Sequence, residues 1–172
     1  MKKGFTLLEL MIVVLLMGIV YGLVINVFQD YKEKSIDVTL MNLEKYMQNF
    51  SQNNHVSLVC IKQCKECLLL VNGKFKHNVT PFVDDEARLY RYDHYSGIRD
   101  LQLQPYFRPD GKEEKVCFRY DIGLDGSRSE MIVETGTAAY VYPSYFGSVK
   151  KYNSIKEVIA YYNESMQKAG EL

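Results

Sequence analysis

The sequence has no excess of either charge. Lys plus Arg number 21 and Asp plus Glu number 21 in 172 residues, so the formal net charge is zero. A protein that wrapped nucleic acid along its length would carry a basic surplus, and a balanced chain exerts little long-range steering on any partner. Proline is scarce, 4 in all with none before Pro81, and glycine contributes 11, which excludes collagen-like and linker-like chains. Internal repeats are absent. So are a P-loop, a nucleophile elbow and a His-Glu-x-x-His pair, and the three histidines are scattered, so no catalytic constellation can be assembled. Charge is also missing locally: residues 10 to 29 carry no charged side chain. What remains is 47% hydrophobic and 24% charged, a globular composition that excludes wholesale disorder. The length suits one domain, or one small domain plus an appendage.

The appendage is the N-terminus. Lys2 and Lys3 precede a run that stays largely apolar to Phe28, with Glu9 its one charged residue. About 20 apolar residues span a bilayer core as a helix. The two lysines predict a cytoplasmic N-terminus, with the body on the other side. An ordinary signal peptide fits poorly, because the run is long for an h-region and no small-x-small cleavage site follows it. A plain signal anchor fits the length but leaves Glu9 unexplained. A carboxylate inside an apolar helix is costly unless it is paired or functional.

Gly4-Phe5-Thr6-Leu7-Leu8-Glu9, followed by the Met/Ile/Val/Leu run, resembles the N-terminal signature of type IV pilins and pseudopilins. The match covers roughly residues 2 to 28 and combines a short basic leader, Gly, Phe and one Glu at fixed spacing. The resemblance implies cleavage by a prepilin peptidase between Gly4 and Phe5, and N-methylation of Phe5. It also implies an assembly role for Glu9. After cleavage the Phe5 amine lies one helical turn before Glu9, on the same face. Within one subunit or between staggered neighbours, the carboxylate meets that amine; such a pair fixes register better than it stabilises. Many major pilins have a proline midway along this helix, and this chain has only Gly18 and Gly22 there. Those glycines permit local melting or close helix packing.

Beyond the apolar run the pattern turns amphipathic. Ile36, Leu40, Leu43, Met47 and Phe50 recur at spacings of four and three and predict a stripe buried on the body, with Lys32, Lys34, Glu44, Lys45 and Gln48 facing elsewhere. Asn53-Asn54-His55 reads as the stop. A helix from Phe5 to Gln52 would be roughly 70 Å long. The periodicity then falls to two. Strands are expected at Val56 to Ile61, Cys67 to Val71, Lys74 to Lys76, Leu101 to Gln104, Val116 to Ile122, Ser129 to Val133 and Ala138 to Tyr142. Asn72-Gly73 predicts a type I′ hairpin, and residues 81–86 and 108–111 read as loops. Ser154-Ile155-Lys156-Glu157 has the form of a capping box, opening a helix whose face carries Ile155, Val158, Ile159, Tyr162 and Met166 and which stops at Gly170. The expected fold is α+β: a long N-terminal helix, membrane-spanning in its first half, on a mostly antiparallel sheet or small sandwich, with a short C-terminal helix. The expected divisions are a leader at 1–4, a transmembrane and assembly helix at 5–28, its amphipathic continuation at 29–52, and a periplasmic body at 53–172.

Cys60, Cys64, Cys67 and Cys117 are even in number, and a periplasmic body would be oxidised, so two disulfides are expected. Three connectivities are possible. The preferred one joins Cys64 to Cys67 in the loop and Cys60 to Cys117 across strands. Cys60-x3-Cys64-x2-Cys67 also has the spacing of a radical-SAM cluster motif, but that chemistry needs a large cytosolic barrel. Zinc would require Cys64, Cys67, Cys117 and one of His55, His77 or His94, with only one Cys-x2-Cys knuckle present. A redox Cys-x-x-Cys lacks its βαβ context. Some major pseudopilins bind calcium near the C-terminus; Asp121 and Asp125-Gly126 are the candidates here, yet the spacing is not that of an EF-hand and a hairpin turn explains Asp125-Gly126. Fourteen tyrosines suggest base stacking, but most fall in strand-like stretches that favour tyrosine anyway.

The sequence therefore points to a structural subunit and not to an enzyme, with no cofactor, no metal and no direct nucleic-acid binding. The resemblance implies as partners other pilins or pseudopilins, a prepilin peptidase, an inner-membrane assembly platform and membrane lipid. It implies a single-pass inner-membrane location, N-terminus cytoplasmic and C-terminal domain periplasmic. The favoured system is a minor pseudopilin of type II secretion or of a competence apparatus for DNA uptake. The alternatives are a minor subunit of a type IV pilus and a membrane-stalked binding module that does not polymerise.

Overall fold

The computed structural model describes residues 7–30 and 37–170, with side chains over 7–21 and 37–165. It divides into two compact units, one up to Ile36 and one from Asp37 onward.

In the first unit, α1 runs Leu7–Asp30, 24 residues or about 36 Å at 1.5 Å per residue. Its sequence has no polar face, and every side chain described on it is exposed. Among the described residues no helix is long and apolar enough to cross a membrane. The expected span at 5–28 lies partly outside the residues whose side chains are described.

The second unit contains α2 (Leu43–Gln48), β1 (Val56–Ile61), β2 (Glu66–Val71), β3 (Lys74–Val79), β4 (Arg88–Asp93), β5 (Gly97–Asp100), β6 (Tyr106–Phe107), β7 (Glu113–Glu114), β8 (Val116–Ile122), β9 (Met131–Glu134), β10 (Ala139–Tyr142), β11 (Lys150–Tyr152) and α3 (Ile155–Gly170). The strands form a four-stranded sheet ordered β3-β2-β1-β8, a five-stranded sheet ordered β11-β10-β9-β4-β5, and the small ribbon β6-β7. All pairings are antiparallel. The body is thus α+β, as its alternation of period-two and helical segments predicts.

Three apolar clusters explain the layering. Leu58, Cys60, Leu69, Phe118 and Tyr120 of the first sheet meet Leu89, Met131, Val133 and Tyr142 of the second in the main core, which also takes Leu40, Leu43 and Met47. Val59, Ile61, Leu68, Leu70 and Val116 point the other way and are covered by Leu103 and Tyr106. On the outer face of the second sheet, Ile132, Ala139 and Val141 lie under Val158, Ile155 and Tyr162 of α3. β1 is buried at every position because both of its faces are covered. A register shift at Cys60/Ile61 sets Val116 opposite Ile61, on the second cluster's side, while Phe118 stays opposite Cys60.

Several expectations are corrected. The helix expected over 29–52 is not continuous: residues 37–39 are non-helical and α2 covers only Leu43–Gln48. Thr39 N–H donates to Asn42 Oδ1 (2.7 Å) while Asn42 N–H donates to Thr39 Oγ1 (3.3 Å), a reciprocal pair that closes the turn ahead of α2. Leu40, Leu43 and Met47 are buried as their spacing predicts; Ile36 lies outside the described residues. Leu101 to Gln104 is not a strand but a strap. The Leu101 N–H bonds the Leu89 carbonyl, and Leu101 and Leu103 pack against the core. β4, β5, β6, β7 and β11 were not expected. On α3, Ile159 is 42% exposed and leaves the buried face, and the Met166 side chain lies outside the described residues. Glu157 caps one residue earlier than expected, accepting the Asn153 N–H (3.0 Å).

Strand direction gives the body two ends. The chain enters at Asp37, where residues 37–40 and Thr80 to Phe82 line one cavity of about 390 Å³. This near end carries the loops 62–65, 80–87 and 135–138. The far end carries the Asn72-Gly73 turn and the loops 94–96, 123–130 and 143–149.

Candidate functional site

Gly4 and Phe5, the expected cleavage and methylation residues, lie outside the described residues. Glu9 sits in the first turn of α1, where the helix dipole favours a carboxylate. Its side chain is exposed, and so are its neighbours Leu8, Leu10, Ile12 and Val13. Between Leu7 and Gln29 it is the one charged residue of the helix.

The cysteines form Cys60–Cys67 and Cys64–Cys117. This corrects the preferred pairing of Cys64 with Cys67 and Cys60 with Cys117. The reason is register. Cys60 and Cys67 face each other across β1 and β2 with Cα atoms 4.0 Å apart. Cys64 stands in the turn between them, at φ 60°, and reaches Cys117 on β8 at a Cα separation of 5.7 Å. Four residues in the turn put 60 opposite 67 by symmetry, a signal the sequence carried. With all four sulfurs engaged, no thiolate is left for a zinc site or a cluster. Among the described residues no group of three or more His, Cys, Asp or Glu is placed to hold a metal ion.

The aspartates offered for calcium have other engagements. Asp121 accepts from Arg119 Nε (2.9 Å) and from the Ser57 hydroxyl, and its N–H donates to Ser129 Oγ (2.9 Å). Asp125 accepts from Ser127 N–H (3.0 Å) and the Ser127 hydroxyl (2.5 Å), closing its own turn, and these bonds hold its carboxyl below the usual range. The histidines are dispersed. His77 Nε2 hydrogen-bonds the Tyr46 hydroxyl (2.7 Å), His94 packs edge-on to Tyr95, and the His55 N–H donates to Asn72 Oδ1 (3.0 Å).

Polar ties fasten α2 and the segment before it to the sheets. Arg128 Nη1 pairs with Glu44 Oε1 at 2.5 Å, and the Tyr142 hydroxyl donates to the Leu40 carbonyl at 2.6 Å. Tyrosines serve packing: Tyr92 stacks on Tyr162 with ring centroids 4.0 Å apart, fixing α3 to β4, and burial pushes the Tyr162 phenol up to about 12. Two features escaped sequence reasoning. One is Arg91 on β4, exposed and without an ion pair among the described residues; the other is the exposed group Leu124, Tyr145 and Phe146 at the far end. Pro143-Ser144-Tyr145-Phe146-Gly147, an apolar pair inside a turn-forming stretch, was the available signal for the second.

Residues 1–25 match the family described as the prokaryotic N-terminal methylation motif. The N-terminus is accordingly of the type IV pilin kind, which marks the chain for prepilin-peptidase processing, association with other pilins and a membrane-anchored N-terminus. No curated protein and no solved structure matches the chain.

Proposed function

We propose that this chain is a non-enzymatic pilin-like subunit of a pseudopilus, serving type II secretion or DNA uptake. It is cut between Gly4 and Phe5, methylated at Phe5, and held in the inner membrane by residues 5–28 with its body in the periplasm. It then assembles through its N-terminal helix on an inner-membrane platform. The observation that carries this reading is Glu9, the one charged side chain of the helix between Leu7 and Gln29, inside the matched methylation motif at residues 1–25. Such a helix cannot rest in water, and such a carboxylate cannot rest in lipid without a cation. The methylated amine of a neighbouring subunit satisfies both. Two disulfides in the body suit an oxidising compartment.

Two measurements test it. Glu9→Ala leaves the chain processed and membrane-inserted but lowers assembled material about tenfold or more, because the stranded amine keeps its charge in hydrocarbon. Assembly at the parental level would remove Glu9 from the mechanism and favour a stalk that does not polymerise. Deleting the gene and scoring transformation and exoprotein secretion in the same cultures then separates the two systems. Lost DNA uptake assigns competence, and lost exoproteins assign type II secretion. If neither changes, the assignment moves to a pilus.

A further inference from the structure

At the far end, two loops are tied together. The Arg128 N–H donates to the Ser144 carbonyl (2.7 Å), and Arg128 Nη1 donates to the Gly147 carbonyl (3.2 Å). Together they hold out Leu124, Tyr145 and Phe146, which are 70%, 55% and 94% exposed. One exposed apolar side chain is ordinary, but three on two bonded loops make a knob. Beside it a cleft of about 360 Å³ is lined by Tyr145, Ser144, Glu130 and three arginines. Arg119 and Arg128 are held by Asp121 and Glu44. Arg91 faces Arg99 across β4 and β5 and has no ion pair among the described residues.

The near end has the opposite features. Pro81, Phe82 and Val83 line a cavity of about 460 Å³ together with the Cys64 turn, Lys65, Asp84 and Asp85. Phe82 is seated edge-on against Phe118, with centroids 5.7 Å apart, so the apolar floor is fixed. Asp84, Asp85 and Glu86 are exposed and have no ion pair among the described residues.

We propose that the far end of one copy docks on the near end of a second copy of this chain, with Phe146 entering the cavity over Phe82 and Arg91 meeting the Asp84-Asp85-Glu86 triplet. The inference deepens the reading of the chain as a polymerising subunit and rests on it. Sign and shape choose the orientation. Far end against far end would set Arg91 on Arg91 and knob on knob, and near end against near end would oppose two acidic triplets; like charges brought together this way are strongly disfavoured. The head-to-tail arrangement alone joins knob to hole, and it sets Arg91 against the acidic triplet. Because the two surfaces differ, the contact is heterologous, and it propagates as an open chain unless its rotation closes a ring. Burying one aromatic ring removes roughly 150–250 Å² from water, well short of the ~1,200 Å² of a self-sufficient interface. The contact therefore orients bodies on a polymer that the N-terminal helices hold together.

The test places a photoreactive benzoylphenylalanine at position 146, and separately at position 16 on α1, in the full chain expressed in its own cells. Position 146 is expected to yield a dimer joined to residues 81–85 of the second copy. Arg91→Glu should lower that adduct about tenfold, through like-charge repulsion, and Asp84→Arg with Asp85→Arg should restore it in the same background. Phe146 and Arg91 are exposed, so these changes leave folding intact. If position 16 gives a dimer while position 146 gives none, joins a different protein or maps elsewhere, the docking is overturned and the polymer reading stands. If neither position gives a dimer, the polymer reading falls and the docking with it. An adduct indifferent to Arg91→Glu would overturn the charge pairing.

Discussion

Tyr120 and Tyr142 meet across the core with ring centroids 5.1 Å apart, and both are fully buried. Burial pushes both phenols above their ordinary value, so both stay neutral. Their hydroxyls differ. That of Tyr142 donates to the Leu40 carbonyl, whereas that of Tyr120 has no protein partner among the described residues. Tyr142→Phe orphans a buried carbonyl and should cost about 1–3 kcal/mol. Tyr120→Phe removes a desolvated hydroxyl that gains nothing in return, and should be neutral or stabilising by up to about 1 kcal/mol. Denaturant unfolding of the two variants decides it, and equal losses would mean that the Tyr120 hydroxyl is bonded. The exposed carboxylates give a second residue-level expectation. Asp93 is held low by the hydroxyl and N–H of Ser96, Asp125 by Ser127, and Glu157 by the Asn153 N–H. A carboxylate lower in the folded than in the unfolded chain contributes stability above the unfolded value, 3.8 for Asp and 4.5 for Glu, and loses it as pH falls through the folded value. The melting temperature should therefore be level near neutrality and drop between about pH 5 and pH 2, less steeply in Asp125→Asn. A melting temperature that rose on acidification would reverse the assigned sign.

At the scale of elements, the β1–β2 connection stands out. Lys62, Gln63 and Cys64 take φ of 53°, 57° and 60° in succession, left-handed positions that cost non-glycine residues about 1–2 kcal/mol each. The flanking strands and the Cys64–Cys117 bridge hold them there. That bridge spans 53 residues and Cys60–Cys67 only 7. Chain entropy assigns them about 4 and about 2.5 kcal/mol. Cys64→Ser with Cys117→Ser should therefore lower the unfolding free energy more than Cys60→Ser with Cys67→Ser, and the reverse order in denaturant titrations would refute that account. The same region shows what the sequence disclosed. β1 and the Asn72-Gly73 turn, with φ of 51° and 76°, follow from local pattern alone. β4 escaped because its period is masked: Tyr90 and Tyr92 are half-covered near α3, while Leu89 and Arg91 share the inner face, so neither face reads as apolar. Leu101 to Gln104 alternates like a strand, but alternation reports burial, and a ladder also needs a partner edge. Leu40, Leu43 and Met47 had the right burial, but Leu40 lies in the turn before the shorter helix, since three contacts at helical spacing do not reveal where a helix begins. Of the candidate site, the N-terminal methylation motif at residues 1–25 was legible because it is contiguous. Disulfide partners depend on register, and the far-end knob on two loops about 20 residues apart brought together by Arg128.

For the whole molecule, the decisive contrast lies between the two units. Each sheet of the body has both faces covered: one core between them, a strap and ribbon over the first, and α3 over the second. Core side chains such as Leu43, Met47, Phe118 and Ile132 sit in clusters whose described members all lie within residues 37 onward. α1 has the opposite character, with Leu7 to Tyr21 presenting apolar side chains that the described residues leave bare. Hydrophobic burial is the main favourable term in folding, so a unit that completes its own burial should fold without the other. Residues 37–172, produced in an oxidising compartment, should be monomeric at micromolar concentration and unfold in one cooperative transition, with no change on adding detergent. The full chain should need detergent or membrane, because its apolar helix has no cover of its own. If the fragment instead bound hydrophobic dyes and melted without cooperativity, the core would depend on the N-terminal helix. The body would then be a cap built on its stalk. A cooperative fragment would mean that the helix is free to serve assembly alone, so that substitutions along it change polymerisation and leave the body's stability untouched.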